Sequence, residues 1–137
     1  MASGNCNNHP PAVFFPSDGV GVEVADGARP IVCNNTFTAG QSPGVHVYCG
    51  AGGFFEKNHF SAHRKASIQA SGSGHPLFLN NKVEGGAEAV QAVRLFGGSA
   101  ACFRLNTLEG GHTAVVTIAE QSRVTFEEND IGCHHNN

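Results

Sequence analysis

Short runs of β-branched and aromatic residues, broken every few positions by glycine-rich turns, leave this chain little room for helices. Several runs alternate with a period of two, as strands with one buried face do. In Val20-Gly21-Val22-Glu23-Val24 the valines share a face, and between Thr113 and Ile118 the set Ala114, Val116, Ile118 opposes Thr113, Val115, Thr117. Asp26-Gly27, Gly52-Gly53, Gly72-Ser73-Gly74, Gly85-Gly86, Gly97-Gly98 and Gly110-Gly111 supply residues that tolerate positive φ. The pattern predicts strands near 12–15, 20–25, 31–38, 45–49, 66–70, 77–79, 101–105, 113–120 and 123–126. Segment 87–96 fits a short helix or a strand. Turns at this spacing point to an all-β, antiparallel β-sandwich or jelly-roll-like fold. No tandem repeat, linker or low-complexity block divides it, so residues 1–137 are read as one domain with one core.

Segment 54–65 differs in kind, stringing together Lys57, Asn58, His59, His63, Arg64 and Lys65. It is expected to be a long exposed loop, and such loops in compact domains are commonly functional or bound to a partner. Its counterpart is the acidic cluster Glu127, Glu128 and Asp130. If the two face each other across a subunit boundary, they set the register between neighbours.

Composition narrows the function classes. Ten Phe against one Tyr (Tyr48) and no Trp make the aromatic content packing material, which argues against a lectin or antibody-like surface. Charged residues are 14% of the chain and the net charge is −3, so nothing tracks a phosphate backbone and no nucleic acid is expected as ligand. A surface this poor in charge suits a homo-oligomer or a subunit embedded in a larger assembly. No basic and apolar leader opens the sequence, and no apolar run approaches the ~20 residues that cross a bilayer, so no membrane partner is expected. The expected location is a virion or the cytoplasm.

Five cysteines exclude a complete intramolecular disulfide framework, and Cys33, Cys49 and Cys102 are read as small reduced core side chains. The termini resemble each other: Gly4-Asn5-Cys6-Asn7-Asn8-His9 opens the chain and Gly132-Cys133-His134-His135 closes it. Cys6, His9, Cys133 and His135 are ligand types for a closed tetrahedral zinc site, and chain ends often lie close together. A bond between Cys6 and Cys133, or plain surface tails, are the competing readings. His59 and His63 have the spacing of a helical metal pair, but their surroundings are a poor helix without an intervening acid. A cupin-type metal pattern fails because Val47-Tyr48, and no second histidine, follows His46. No nucleophile elbow, phosphate loop or dinucleotide fingerprint occurs.

The expected protein is therefore structural and non-enzymatic: a self-associating subunit, such as a virus or phage capsid decoration or shell protein, without a cofactor. The alternatives are a small zinc-type β-domain, either a plain metal-binding domain or a metalloenzyme, and a binding module whose ligand touches residues 59–65.

Overall fold

The computed structural model describes residues 12–14, 21–38, 43–61, 66–85, 89–110 and 114–132. Within them the chain winds as a three-sided coil. β1 (Ala12–Phe14) precedes five rungs, each giving one short strand to each side. The first rung holds β2 (Val22–Ala25), β3 (Ile31–Cys33) and β4 (Thr36–Thr38), and the second β5 (Val45–Val47), β6 (Phe54–Glu56) and β7 (His59–Ser61). The third holds β8 (Ile68–Ala70), β9 (Leu77–Leu79) and β10 (Lys82–Glu84), and the fourth β11 (Gln91–Leu95), β12 (Ala100–Arg104) and β13 (Thr107–Glu109). The fifth is β14 (Ala114–Ile118), β15 (Arg123–Glu127) and β16 (Asp130–Gly132). Sheet A runs β1-β2-β5-β8-β11-β14, sheet B β3-β6-β9-β12-β15 and sheet C β4-β7-β10-β13-β16.

Neighbouring strands are parallel throughout these sheets, apart from β1, which closes the edge of β2 antiparallel. This overturns the antiparallel sandwich or jelly roll. It also overturns the absence of a repeat, because paired positions lie 23 residues apart along the coil and 25 apart between the third and fourth rungs. The predicted strand at 31–38 is two strands with a corner between them, and 87–96 contributes strand β11. Segment 54–65 is not one long loop: it carries β6 and β7, whose Phe55 and Phe60 are fully buried.

Each corner between sheets B and C uses the same two-residue device. The first residue has positive φ (Asn34, Lys57, Asn80, Leu105 and Glu128, all between 56° and 59°), and the second is asparagine. The asparagines at 35, 58, 81, 106 and 129 form a ladder along the coil. Asn81 accepts the Asn58 backbone N–H at 2.8 Å and its Nδ2 at 3.0 Å, and donates to the Phe55 carbonyl and to Asn106 Oδ1, both at 2.9 Å. Asn58, Asn81 and Asn106 are buried, so the ladder satisfies amides that water cannot reach.

Inward-facing residues form columns of the same kind. Val32, Phe55, Phe78, Phe103 and Phe126 occupy one register on sheet B. Phe55 stacks on Phe78 at 4.7 Å and Phe78 on Phe103 at 4.9 Å between centroids. Sheet C aligns Phe37, Phe60, Val83, Leu108 and Ile131, and sheet A aligns Val24, Val47, Ala70, Leu95 and Ile118. The corners between sheets A and B carry two consecutive positive-φ residues, such as Cys49-Gly50 closed by the Ala51 N–H on the Tyr48 carbonyl at 3.2 Å. Backbones also meet closely where a Cβ on Gly110 would lie 2.5 Å from the Gly85 nitrogen and one on Gly74 2.6 Å from the Val47 carbonyl oxygen.

Ser67 sits in this interior with its hydroxyl buried and without a hydrogen-bond partner among the described residues. Asn81→Ala orphans buried groups on two rungs and is expected to cost about 3 kcal/mol. Ser67→Ala removes an unpaired hydroxyl and is expected to be neutral or stabilising by up to about 1 kcal/mol. Denaturant unfolding of the two variants checks both signs.

Candidate functional site

The outer face of sheet A lines up titratable and polar side chains from four rungs and holds His46 and Tyr48, whose surroundings displace their titration furthest. The middle positions of β2, β5, β8 and β11 point outward and align Glu23, His46, Gln69 and Arg94 on successive rungs. Beside them, just past the strands, lie Tyr48, Ser71 and Phe96. Rungs of a parallel sheet are about 4.8 Å apart, so Glu23 and Arg94 stand about 14 Å apart with neutral groups between them.

These side chains bond diagonally across rungs. Tyr48 donates its hydroxyl to Glu23 Oε1 at 3.2 Å, while its ring lies 4.5 Å from that of His46. Burial, helped by the Glu23 carboxylate, pushes the Tyr48 phenol up to about 12. His46 Nε2 lies 3.0 Å from Ser71 Oγ and 3.4 Å from the Gln69 amide nitrogen. Burial, with a smaller contribution from the positive charge of Arg94, lowers the His46 imidazole to about 4. Arg94 lies flat over Phe96, 4.1 Å from the ring centroid.

The Ser71–His46 contact has the reach of a nucleophile–base pair, but its electrostatics oppose that role. A general base works best with a pKa near the working pH, and this imidazole is destabilised as a cation by burial and by Arg94. At neutral pH the imidazole is uncharged, and its tautomer sets which way the hydrogen bond with Ser71 runs. The arrangement sets an acid at one end and a guanidinium at the other, with hydrogen-bonding neutral groups between them.

A family model described as a right-handed beta helix region matches residues 5–136. The chain belongs to the right-handed β-helix family. Neither a curated protein nor a solved structure matches it. The β-helix replaces the jelly roll, and with it goes the virion and capsid reading, which nothing in the coil or the family supports.

The β-helix scatters the charged groups singled out in the sequence. Lys57 and Glu128 occupy equivalent corner positions on the second and fifth rungs, so they stand three rungs apart on one edge of the same chain. Glu127 and Glu128 approach Arg104 at 3.6 and 3.9 Å. His59 Nε2 meets Glu84 Oε1 at 2.9 Å, with Lys82 Nζ on the other carboxylate oxygen at 3.3 Å. The His59 hydrogen bond, joined by Lys82, holds the Glu84 carboxyl below its usual range. Asp130 opens β16 at the solvent-exposed end. His63, Arg64 and Lys65 lie outside the described residues, as do the proposed zinc ligands Cys6, His9, Cys133 and His135. Among the described residues, no three His, Cys, Asp or Glu converge on a metal position.

Cys33 and Cys102 carry free thiols, whereas Cys49, expected to be reduced, is bonded in a disulfide. Cys102 lines a shallow groove of about 440 Å³ on the outer face of sheet B, with His75, Leu77 and Arg123. Sequence reading missed the sheet A face because its members are 23 or 25 residues apart. Recognising the rung repeat would have aligned them.

An unfolded imidazole takes up its proton near 6.5 and native His46 only near 4, so the unfolded chain binds the proton first as pH falls. The resulting stabilisation is complete above about pH 6.5 and is lost between 6.5 and 4, on the order of 2–3 kcal/mol. His46→Gln is expected to flatten this part of the stability profile, measured by urea unfolding at pH 7, 5.5 and 4.

Proposed function

We propose that this β-helix is a structural, non-enzymatic subunit that self-associates through its C-terminal rung. One observation carries the reading. Leu95, Phe103 and Leu108 on the fourth rung are fully buried, whereas Ile118, Phe126 and Ile131, the next members of the same three columns, are 45%, 36% and 44% exposed. Among the described residues each column thus ends in an apolar side chain that a further layer would cover. The outer edges of β14, β15 and β16 pair with no other strand among the described residues, leaving backbone donors and acceptors ready for strand addition.

The energetics favour association. Covering a large apolar side chain contributes about 1.5–3 kcal/mol when burial is complete, and three columns end together here. The low charge of the chain opposes association only weakly.

Native mass spectrometry tests the reading. The wild type is expected at a multiple of 14.3 kDa, unchanged by a chelator. Phe126→Lys and Ile131→Lys, each checked for fold by circular dichroism, are expected to shift it toward monomer. A wild-type monomer at high micromolar concentration would contradict the proposal. A monomer carrying a stoichiometric metal that the chelator removes would instead favour the zinc-type β-domain.

A further inference from the structure

We infer that the partner at the C-terminal rung is a second copy of this chain, docked end to end about a two-fold axis through Thr125, with β15 pairing antiparallel to its own counterpart. This rests on the proposed self-association and specifies its geometry.

The sequence of β15 is complementary to itself when reversed. In Arg123-Val124-Thr125-Phe126-Glu127, antiparallel pairing centred on Thr125 sets Arg123 of one copy opposite Glu127 of the other, twice. Arg123 and Glu127 both lie on the exposed outer side; Glu127 approaches Arg104 of its own chain at 3.6 Å and keeps most of its carboxylate open to solvent, and Arg123 has no carboxylate partner among the described residues. Cross-strand pairs of opposite charge at this separation are favourable. On the inner side the same pairing sets Val124 opposite Phe126, so each exposed phenylalanine gains an apolar neighbour where its column now ends.

The other two sheets follow from the symmetry. A two-fold axis through sheet B, perpendicular to the coil axis, exchanges sheets A and C between copies. β14 then lies over β16 of the second copy, again antiparallel, and Ile118 and Ile131 come together on the inside. All three columns are covered by one operation, and the contact closes as a dimer.

The opposite end of the coil is less suited to the contact. There β1 already occupies the edge of sheet A, so stacking head to tail cannot continue all three sheets. Val32 and Phe37, the first members of their columns, are only partly exposed. The β1–β2 pair also shows that this coil accepts an antiparallel strand on a parallel edge. The remaining acids of the rung, Glu120, Glu128 and Asp130, lie at exposed positions where salt screens them, and Arg104 approaches Glu128.

Charge exchange between copies tests the register. Arg123→Glu sets glutamates against each other at both contacts, and Glu127→Arg sets arginines against each other. Each variant alone is expected to lose at least about tenfold in dimer association constant by sedimentation velocity. An equimolar mixture restores both contacts in the heterodimer and is expected to recover wild-type association to within about threefold. Recovery on mixing also shows that both variants are folded. Dimers that persist in both single variants, or a mixture that fails to recover, would overturn this docking while leaving self-association standing. A wild-type chain that never dimerises would overturn both.

Discussion

The side-chain amide at each B–C corner, buried on the three inner rungs, is the interaction on which the rest of this coil depends. A sharp turn between two three-residue strands leaves backbone N–H and C=O groups pointing along the axis, inside the protein. Only a side chain with both donor and acceptor can satisfy a neighbour on each side. Asparagine does so at 58, 81 and 106, with Asn35 and Asn129 ending the ladder on one side each, and its amide bonds rung to rung in the same direction as the strand ladders. Once those corners are stacked, the strands on either side are in register. Phe55, Phe78 and Phe103 then fall one above another with nearly parallel rings. The cost is a left-handed residue before every ladder asparagine, which even Leu105 accepts.

Much of the strand content was legible from alternation. β9 was anticipated at its observed bounds, and β2, β5, β8, β12, β14 and β15 to within a few residues. Alternation reports which side chains share a face. It does not report which strand lies alongside, and a three-residue strand reads the same in a parallel or an antiparallel sheet. β7, β10 and β13 escaped because polar groups flank their single buried residues: His59-Phe60-Ser61 and Lys82-Val83-Glu84 look like solvated loop, while β6 was read into the segment 54–65 and β16 is exposed throughout. The repeat was masked by the two extra residues between the third and fourth rungs and by varied turn residues, Cys49-Gly50 at one corner and Glu120-Gln121 at another. The asparagines carried the period, but the eye meets them first as turn residues.

The candidate sites divide along the same line. Groups close in sequence, such as Glu127 and Glu128, are placed by the coil beside Arg104, a residue one rung away. The sheet A face joins residues distant in sequence, and no local motif announces it. A coil built from stacked layers satisfies each interior rung with two neighbours and each terminal rung with one. At one end β1 covers part of the deficit. At the other, the core columns run out into solvent at Ile118, Phe126 and Ile131, which links the physics of the interior directly to the proposed role.

Amide hydrogen exchange of the wild-type protein, followed as a function of protein concentration, tests that link most directly. If the C-terminal rung is an interface between copies, protection of the β14, β15 and β16 amides rises with concentration while the β5 to β10 amides stay constant. Protection of the last rung that is independent of concentration would contradict the account.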